Sequence, residues 1–274
     1  MVRLHSLLFA SVAALLLAGC DEVPDGTYQG YAEGEYVRVG PIDGGTIDTI
    51  AVARGDRVEK GALLFRLDTT AETAAAAQAE AQLAEAKTSL EDAQRELKRT
   101  EVLRAGGNVA QAILDTSRAQ RDRAGSRMLA AAAAHDQAKW RLARREGHAP
   151  TSAIVQDVMF RPGEFAAASQ PVISLLPPEN IKVRFFVPEA ELGRIRIGDR
   201  VTFACSGCPE TLDGTIRFVA AQAEFTPPVI YSEQSKEKLV YMVEAIPAAS
   251  PEALHPGQPV TVSIAGATEE GSGS

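Results

Sequence analysis

Aromatic residues are scarce in this chain: they make up 5% of it, with a single tryptophan. Hydrophobic residues reach 45% overall and alanine is heavily used. That combination excludes one large aromatic core and points to long helices packed through small side chains. Positive charge is also in deficit. Lys and Arg number 28 against 36 Asp and Glu, a formal net charge of −8, which argues against nucleic acid as a partner because phosphate contacts need clustered cations. Cations do gather between residues 118 and 145, but carboxylates are interspersed there and the stretch reads as a solvated helix face. The 4 histidines, His5, His135, His148 and His255, are scattered, and none has a partner at metal-ligand spacing. His135 falls at a seam-like helical position and reads as a partly covered core residue. A Ser-His-Asp pattern, a phosphate-binding glycine loop and a His-Glu-x-x-His motif are all missing. Carboxylate pairs such as Glu91-Asp92 lie on a helix face that solvent explains. The expectation is a protein that is not an enzyme and holds no cofactor or metal.

What the sequence does have begins at its start. Arg3 supplies a basic region, and residues 7–17 are apolar but too short to span a bilayer as a mature helix. The segment closes on Leu17-Ala18-Gly19-Cys20, which looks like a bacterial lipobox. Its cysteine would be diacylated, and two acyl chains give stable anchoring where one would be marginal. Asp21 follows, which favours retention at the inner membrane. Residues 1–20 therefore read as a lipoprotein signal peptide and residues 21–35 as a linker. The other cysteines stand in Cys205-Ser206-Gly207-Cys208-Pro209. In an oxidising compartment they read as a local disulfide bracing a turn, with free thiols as the alternative.

A broken repeat organises the interior. Residues 45–68 and 153–176 share one pattern at a constant offset: Ile47 matches Val155, Ile50 matches Val158, Val52 matches Phe160, Gly55 matches Gly163, Leu64 matches Val172 and Leu67 matches Leu175. Each copy reads as strand, glycine turn, strand, and two copies packed face to face would make a small β-sandwich. Between them, residues 69–104 lack proline and glycine and are rich in helix formers. Leu83, Leu90 and Leu97 alternate with Ala79, Ala86 and Ala93 on heptad spacing. Gly106-Gly107-Asn108 breaks the run. A second run over residues 110–146 places Leu114, Met128 and Leu142, with Ala124, Ala131 and Ala138, on a matching seam. Small seam residues let two antiparallel helices approach closely, and arms of about 37 residues would project roughly 55 Å. Pro177-Pro178 leads into short strands over residues 181–187, 201–204, 215–219, 239–246 and 260–264, with a short helix at 188–192. Their spacing suits a small β-barrel. Residues 266–274 read as a disordered tail.

The order of these parts resembles the periplasmic adaptors, or membrane fusion proteins (HlyD-like). The most specific stretches are Gly44-Gly45-Thr46-Ile47 through Val58-Glu59-Lys60-Gly61, and Pro188-Glu189 through Ile197-Gly198-Asp199. The segment at residues 224–232 and the Cys-x-x-Cys before it are similar to members serving ABC-type exporters. The resemblance implies an α+β, elongated multidomain fold. Two halves of a lipoyl-like domain (36–68 and 149–176) would flank an antiparallel α-helical coiled-coil hairpin (69–148). A β-barrel (177–265) would follow, and any membrane-proximal domain would be small. Members that dock on TolC-type channels carry Arg-x3-Leu-x6-Ser at the hairpin tip. Arg99 and Leu103 match it, the serine position is Ala110, and Gly106, Gly107 and Asn108 form the turn within it. The implied partners are an inner-membrane transporter, ABC-type in this subgroup, a TolC-type outer-membrane channel, and other copies in a hexameric ring. A proton-driven (RND-type) transporter or a structural coiled-coil tether are the alternatives. A true lipoyl carrier would need a modifiable lysine in the turn that the hairpin occupies.

Overall fold

The computed structural model describes residues 26–208, 211–225, 239–248 and 254–264. In chain order these form β1 (Thr27–Gly34), β2 (Val37–Val39), β3 (Gly45–Ile50), β4 (Arg57–Val58), β5 (Leu63–Leu67), α1 (Thr70–Ala105), α2 (Gln111–Ala143), β6 (Glu146–His148), β7 (Ala153–Val158), β8 (Phe165–Ala166) and β9 (Ile173–Leu176). After a 3₁₀ turn come β10 (Ile181–Pro188), α3 (Glu189–Leu192), β11 (Arg200–Ala204), β12 (Leu212–Phe225), β13 (Leu239–Pro247) and β14 (Pro259–Ile264). The chain divides into two units, Tyr36–Pro177 and the segments on either side of it.

In the first unit, two four-stranded antiparallel sheets, ordered β2-β9-β7-β4 and β6-β5-β3-β8, close over one apolar core. Ile47, Leu64, Phe65 and Leu67 enter it from the first repeat copy, and Val155, Val172, Ile173 and Leu175 from the second. The copies do not pack as intact faces. Each lends its short middle strand to the other's sheet, so β4 pairs with β7 and β8 with β3. The glycine turns make this exchange possible. Gly55 and Gly163 take φ of 93° and 91°, a left-handed conformation that a Cβ would disfavour. The Gly55 N–H then donates to Val155 O and the Gly163 N–H to Ile47 O, each at 2.8 Å. The repeat is thus a pseudo-twofold down to its hydrogen bonds.

Between the copies, α1 and α2 run antiparallel. Glu72 pairs with Arg145, Thr100 Oγ1 lies 3.3 Å from Ser117 Oγ, and Leu90 packs beside Gly125. Ala79, Thr100, Leu114, Ser117 and Ala124 are buried along the seam, while the leucines between them are only half-covered. Two helices shield one stripe of each other and leave the rest to solvent.

The hairpin expected over residues 69–148 needs correcting at its far end. The helix stops at Ala143, and residues 146–148 are β6, paired with β5 of the sandwich. Gly147 is glycine because Phe65 occupies the space a side chain would fill.

The second unit is a closed antiparallel barrel ordered β1-β10-β13-β12-β11-β14. Strict alternation along β10 turns Ile181, Val183, Phe185 and Val187 inward. Tyr28, Ala32, Val201, Phe203, Ile216, Val243 and Val262 complete the interior. The linker expected over residues 21–35 is corrected here, since Thr27–Gly34 is a barrel strand pairing with both β10 and β14. Small residues disguise it. Gly30 lets β1 pass against the Arg184 carbonyl, where a Cβ would collide. The barrel expected over residues 177–265 therefore also includes β1, and the strand expected at 215–219 extends over Leu212–Phe225 with two bulges. The signal peptide with Cys20, the tail at 266–274 and most of the 224–232 segment lie outside the described residues.

Candidate docking site at the tip of the helix pair

Helix α1 ends because Gly106 and Gly107 follow it. Gly107 takes φ 75°, and the Asn108 N–H turns back to the Leu103 carbonyl at 2.9 Å. Arg104 closes the turn from the other side, donating to the Val109 carbonyl at 3.0 Å. Ala110 occupies the N-cap of α2 in extended conformation and gives it no side-chain cap. Four of the named tip residues, Gly106, Gly107, Asn108 and Ala110, are thus the turn itself.

Arg99 and Leu103 lie one helical turn apart on α1. The Arg99 side chain is 70% exposed and hydrogen-bonds Glu96 on its own helix. Leu103 is 40% exposed, and it is not alone. Val102 (68%) and Ile113 (51%) stand free on either side of the turn. These two were missed in the sequence because they belong to no motif. The signal available was that each is a large apolar residue off the heptad seam. Three solvated aliphatic side chains thus stand near the turn on the helix that carries Arg99 and on the one that follows.

At the other end of the pair the contacts are ionic. Arg145 bonds Glu72 and also the Gly44 carbonyl (3.1 Å). Arg144 stacks over Trp140 at 4.2 Å and reaches Asp43 at 3.3 Å. The Arg145 hydrogen bond holds the Glu72 carboxyl below its usual value, and bonds from Thr70 do the same for Asp68. A shallow groove of about 470 Å³ nearby is lined by Asp48, Arg66, Lys139 and Glu146, whose charges balance.

On the barrel's outer face, Glu244 receives Lys182 and Arg184, each at 2.9 Å. Burial alone would raise its carboxyl, but these two bonds outweigh that and hold it low. Cys205 and Cys208 are paired as a disulfide across the β11–β12 turn, Cα atoms 5.3 Å apart. His135 is a seam residue with Asp136 at 3.7 Å. Among the described residues no group of three or more His, Cys, Asp or Glu is placed to hold a metal ion, and no helix is long and apolar enough to cross a membrane.

No family model matches the chain. A UPF0194 membrane protein of Acidithiobacillus ferridurans is 34% identical over 175 residues, 57% of this chain and 52% of the relative. The chain thus spans about half the length of that protein. Among solved structures, the membrane fusion protein Spr0693 of Streptococcus pneumoniae R6 superposes with a TM-score of 0.63 at 19% identity, covering 87% of this chain and 97% of the other. A MacA-MexA chimera containing the Pseudomonas aeruginosa MexA α-hairpin domain gives 0.60 at 22%, covering 87% and 79%. The chain therefore has the fold of the solved membrane fusion proteins.

Proposed function

We propose that this protein is the periplasmic adaptor subunit of an envelope-spanning export pump, linking an inner-membrane transporter to an outer-membrane channel. The observation that carries the reading is the solvated apolar tip of Leu103, Val102 and Ile113 with Arg99, presented at the end of a helix pair of 36 and 33 residues. At about 1.5 Å per residue such arms reach on the order of 50 Å, so the pair works as a spacer with a contact surface at its end. The split sandwich is read as lipoyl-like, with the hairpin standing where a carrier lysine would be. The tip turn of Gly106, Gly107, Asn108 and Ala110 docks on a TolC-type channel, Leu103 filling an apolar notch and Arg99 meeting its polar rim. Ala110 offers no hydroxyl for that contact.

The inner-membrane end is held by acyl chains on Cys20, and the transporter is ABC-type, consistent with the Cys-x-x-Cys placed before the 224–232 segment. Copies assemble as a hexameric ring. No chemical step or cofactor is assigned to the chain, since its part is mechanical and the energy comes from the transporter. Crosslinking in native membranes, followed by affinity purification and mass spectrometry, tests this. Co-recovery of an ABC permease with an outer-membrane channel supports the reading. A proton-driven transporter would overturn the subclass, and self-association alone would leave a structural tether.

A further inference from the structure

We propose that one end of the barrel, built around Arg196, Ile197, Arg200 and Arg217, docks on an anionic phospholipid surface. The residues meet through the ladder. The Gly198 N–H donates to Ile216 O (2.9 Å) and the Ile216 N–H to Asp199 O (3.0 Å), which lays the turn before β11 against β12. Arg200 pairs with Thr215 across β11–β12, and Thr215 with Ile246 across β12–β13. This surface exposes three apolar side chains, Ile197 at 66%, Phe218 at 46% and Ile246 at 42%. The three arginines among them are exposed, and none has an ion-pair partner among the described residues. Of the nearby carboxylates, Asp213 on β12 is exposed, and two others bond other groups. Asp199 accepts the Arg196 backbone N–H at 2.8 Å, and Glu244 is held by Lys182 and Arg184. In a chain of net charge −8, cations interleaved with solvated aliphatic and aromatic groups suit an anionic surface with an apolar layer beneath it, which is what a bilayer of acidic lipids offers.

The path of the chain selects lipid as the occupant. Ile264 donates to the Gly26 carbonyl at 3.3 Å and pairs with Val201, the residue after Arg200. The chain therefore enters the barrel at the end that carries the patch. Cys20 lies so close before Gly26 that the extended segment between them spans only about 20 Å. This step rests on the acyl-anchor reading given above. An anchor on so short a tether holds that barrel end at the headgroups, where each arginine contributes about fivefold to association.

The test uses the full acylated chain mixed with vesicles of phosphatidylcholine, alone or with phosphatidylglycerol, and reads amide hydrogen exchange across residues 196–200 and 215–218. The expected result is slower exchange in these segments only on phosphatidylglycerol vesicles, reversed by salt. Arg196→Gln with Arg200→Gln should weaken the docking equilibrium on the order of 25-fold, with circular dichroism unchanged. Equal exchange on both vesicles would overturn the proposal, as would protection that arises only when a transporter protein is added. Flotation with pure phosphatidylcholine vesicles reads the acyl anchor separately, so the anchor and the patch fail independently.

Discussion

Arg145, just beyond the end of α2, hydrogen-bonds Glu72 in the first turn of α1 and spends its other terminal nitrogen on the Gly44 carbonyl. One guanidinium thereby ties both helices to the sandwich. Both side chains are under one-fifth exposed, so the pair is protected from salt. Glu72→Gln is expected to cost about 2 kcal/mol at neutral pH, the range for a hydrogen bond to a charged group. Because the folded carboxyl is held below its unfolded value, its contribution is complete above the unfolded value and disappears as pH falls through the folded one. Denaturation of both proteins at neutral and strongly acid pH checks this. The gap between them should close in acid, and a gap independent of pH would remove the ionic account.

Gly147 tests the corrected boundary of the helix pair. Its Cβ would come within 2.3 Å of the Phe65 ring, and Phe65 is 1% exposed. Gly147→Ala should lower stability by about 2–3 kcal/mol, the cost of forcing a core side chain aside. Full stability in a denaturant titration would mean that residues 146–148 do not lie in the sandwich.

These residues also show what the sequence displayed and what it hid. Gly55 and Gly163 were legible as turns because only a residue without a Cβ is comfortable at their positive φ, and their equal spacing from matching apolar residues exposed the repeat. The helix seam was legible because heptad spacing is local. β1 was not. Its buried residues are Tyr28 and Ala32 alone, its centre is Gly30, and its partners Phe185 and Val260 are remote in the chain, so pairing leaves no local trace. β6 shows no apolar side chain because Phe65 fills its place. At the tip, Leu103 was visible through a motif, whereas Val102 and Ile113 show their role only through exposure, which no spacing encodes.

Ala110→Ser should strengthen the start of α2. The N-cap there offers no side-chain acceptor, and a serine normally contributes about 1 kcal/mol. Amide exchange at residues 112–113 should slow about fivefold with no change at the helix root. Unchanged exchange would mean that the first turn is already capped by other means.

The Cys205–Cys208 disulfide closes so short a loop that chain entropy credits it with about 2 kcal/mol. The turn also has its own hydrogen bond, the Cys208 N–H to Cys205 O at 3.2 Å. Cys205→Ser with Cys208→Ser should therefore lower the barrel's stability by about 2 kcal/mol or less and leave it folded, as followed by near-ultraviolet circular dichroism. Unfolding would show that the bond holds more than its own turn.

The central claim is that the helix tip touches an outer-membrane channel. A photo-crosslinking amino acid at Leu103, activated in living cells, tests it most directly. The account predicts one dominant adduct with an outer-membrane channel, lost when Arg99→Asp is added. A tip that yields no adduct, or only adducts with copies of itself, would contradict it.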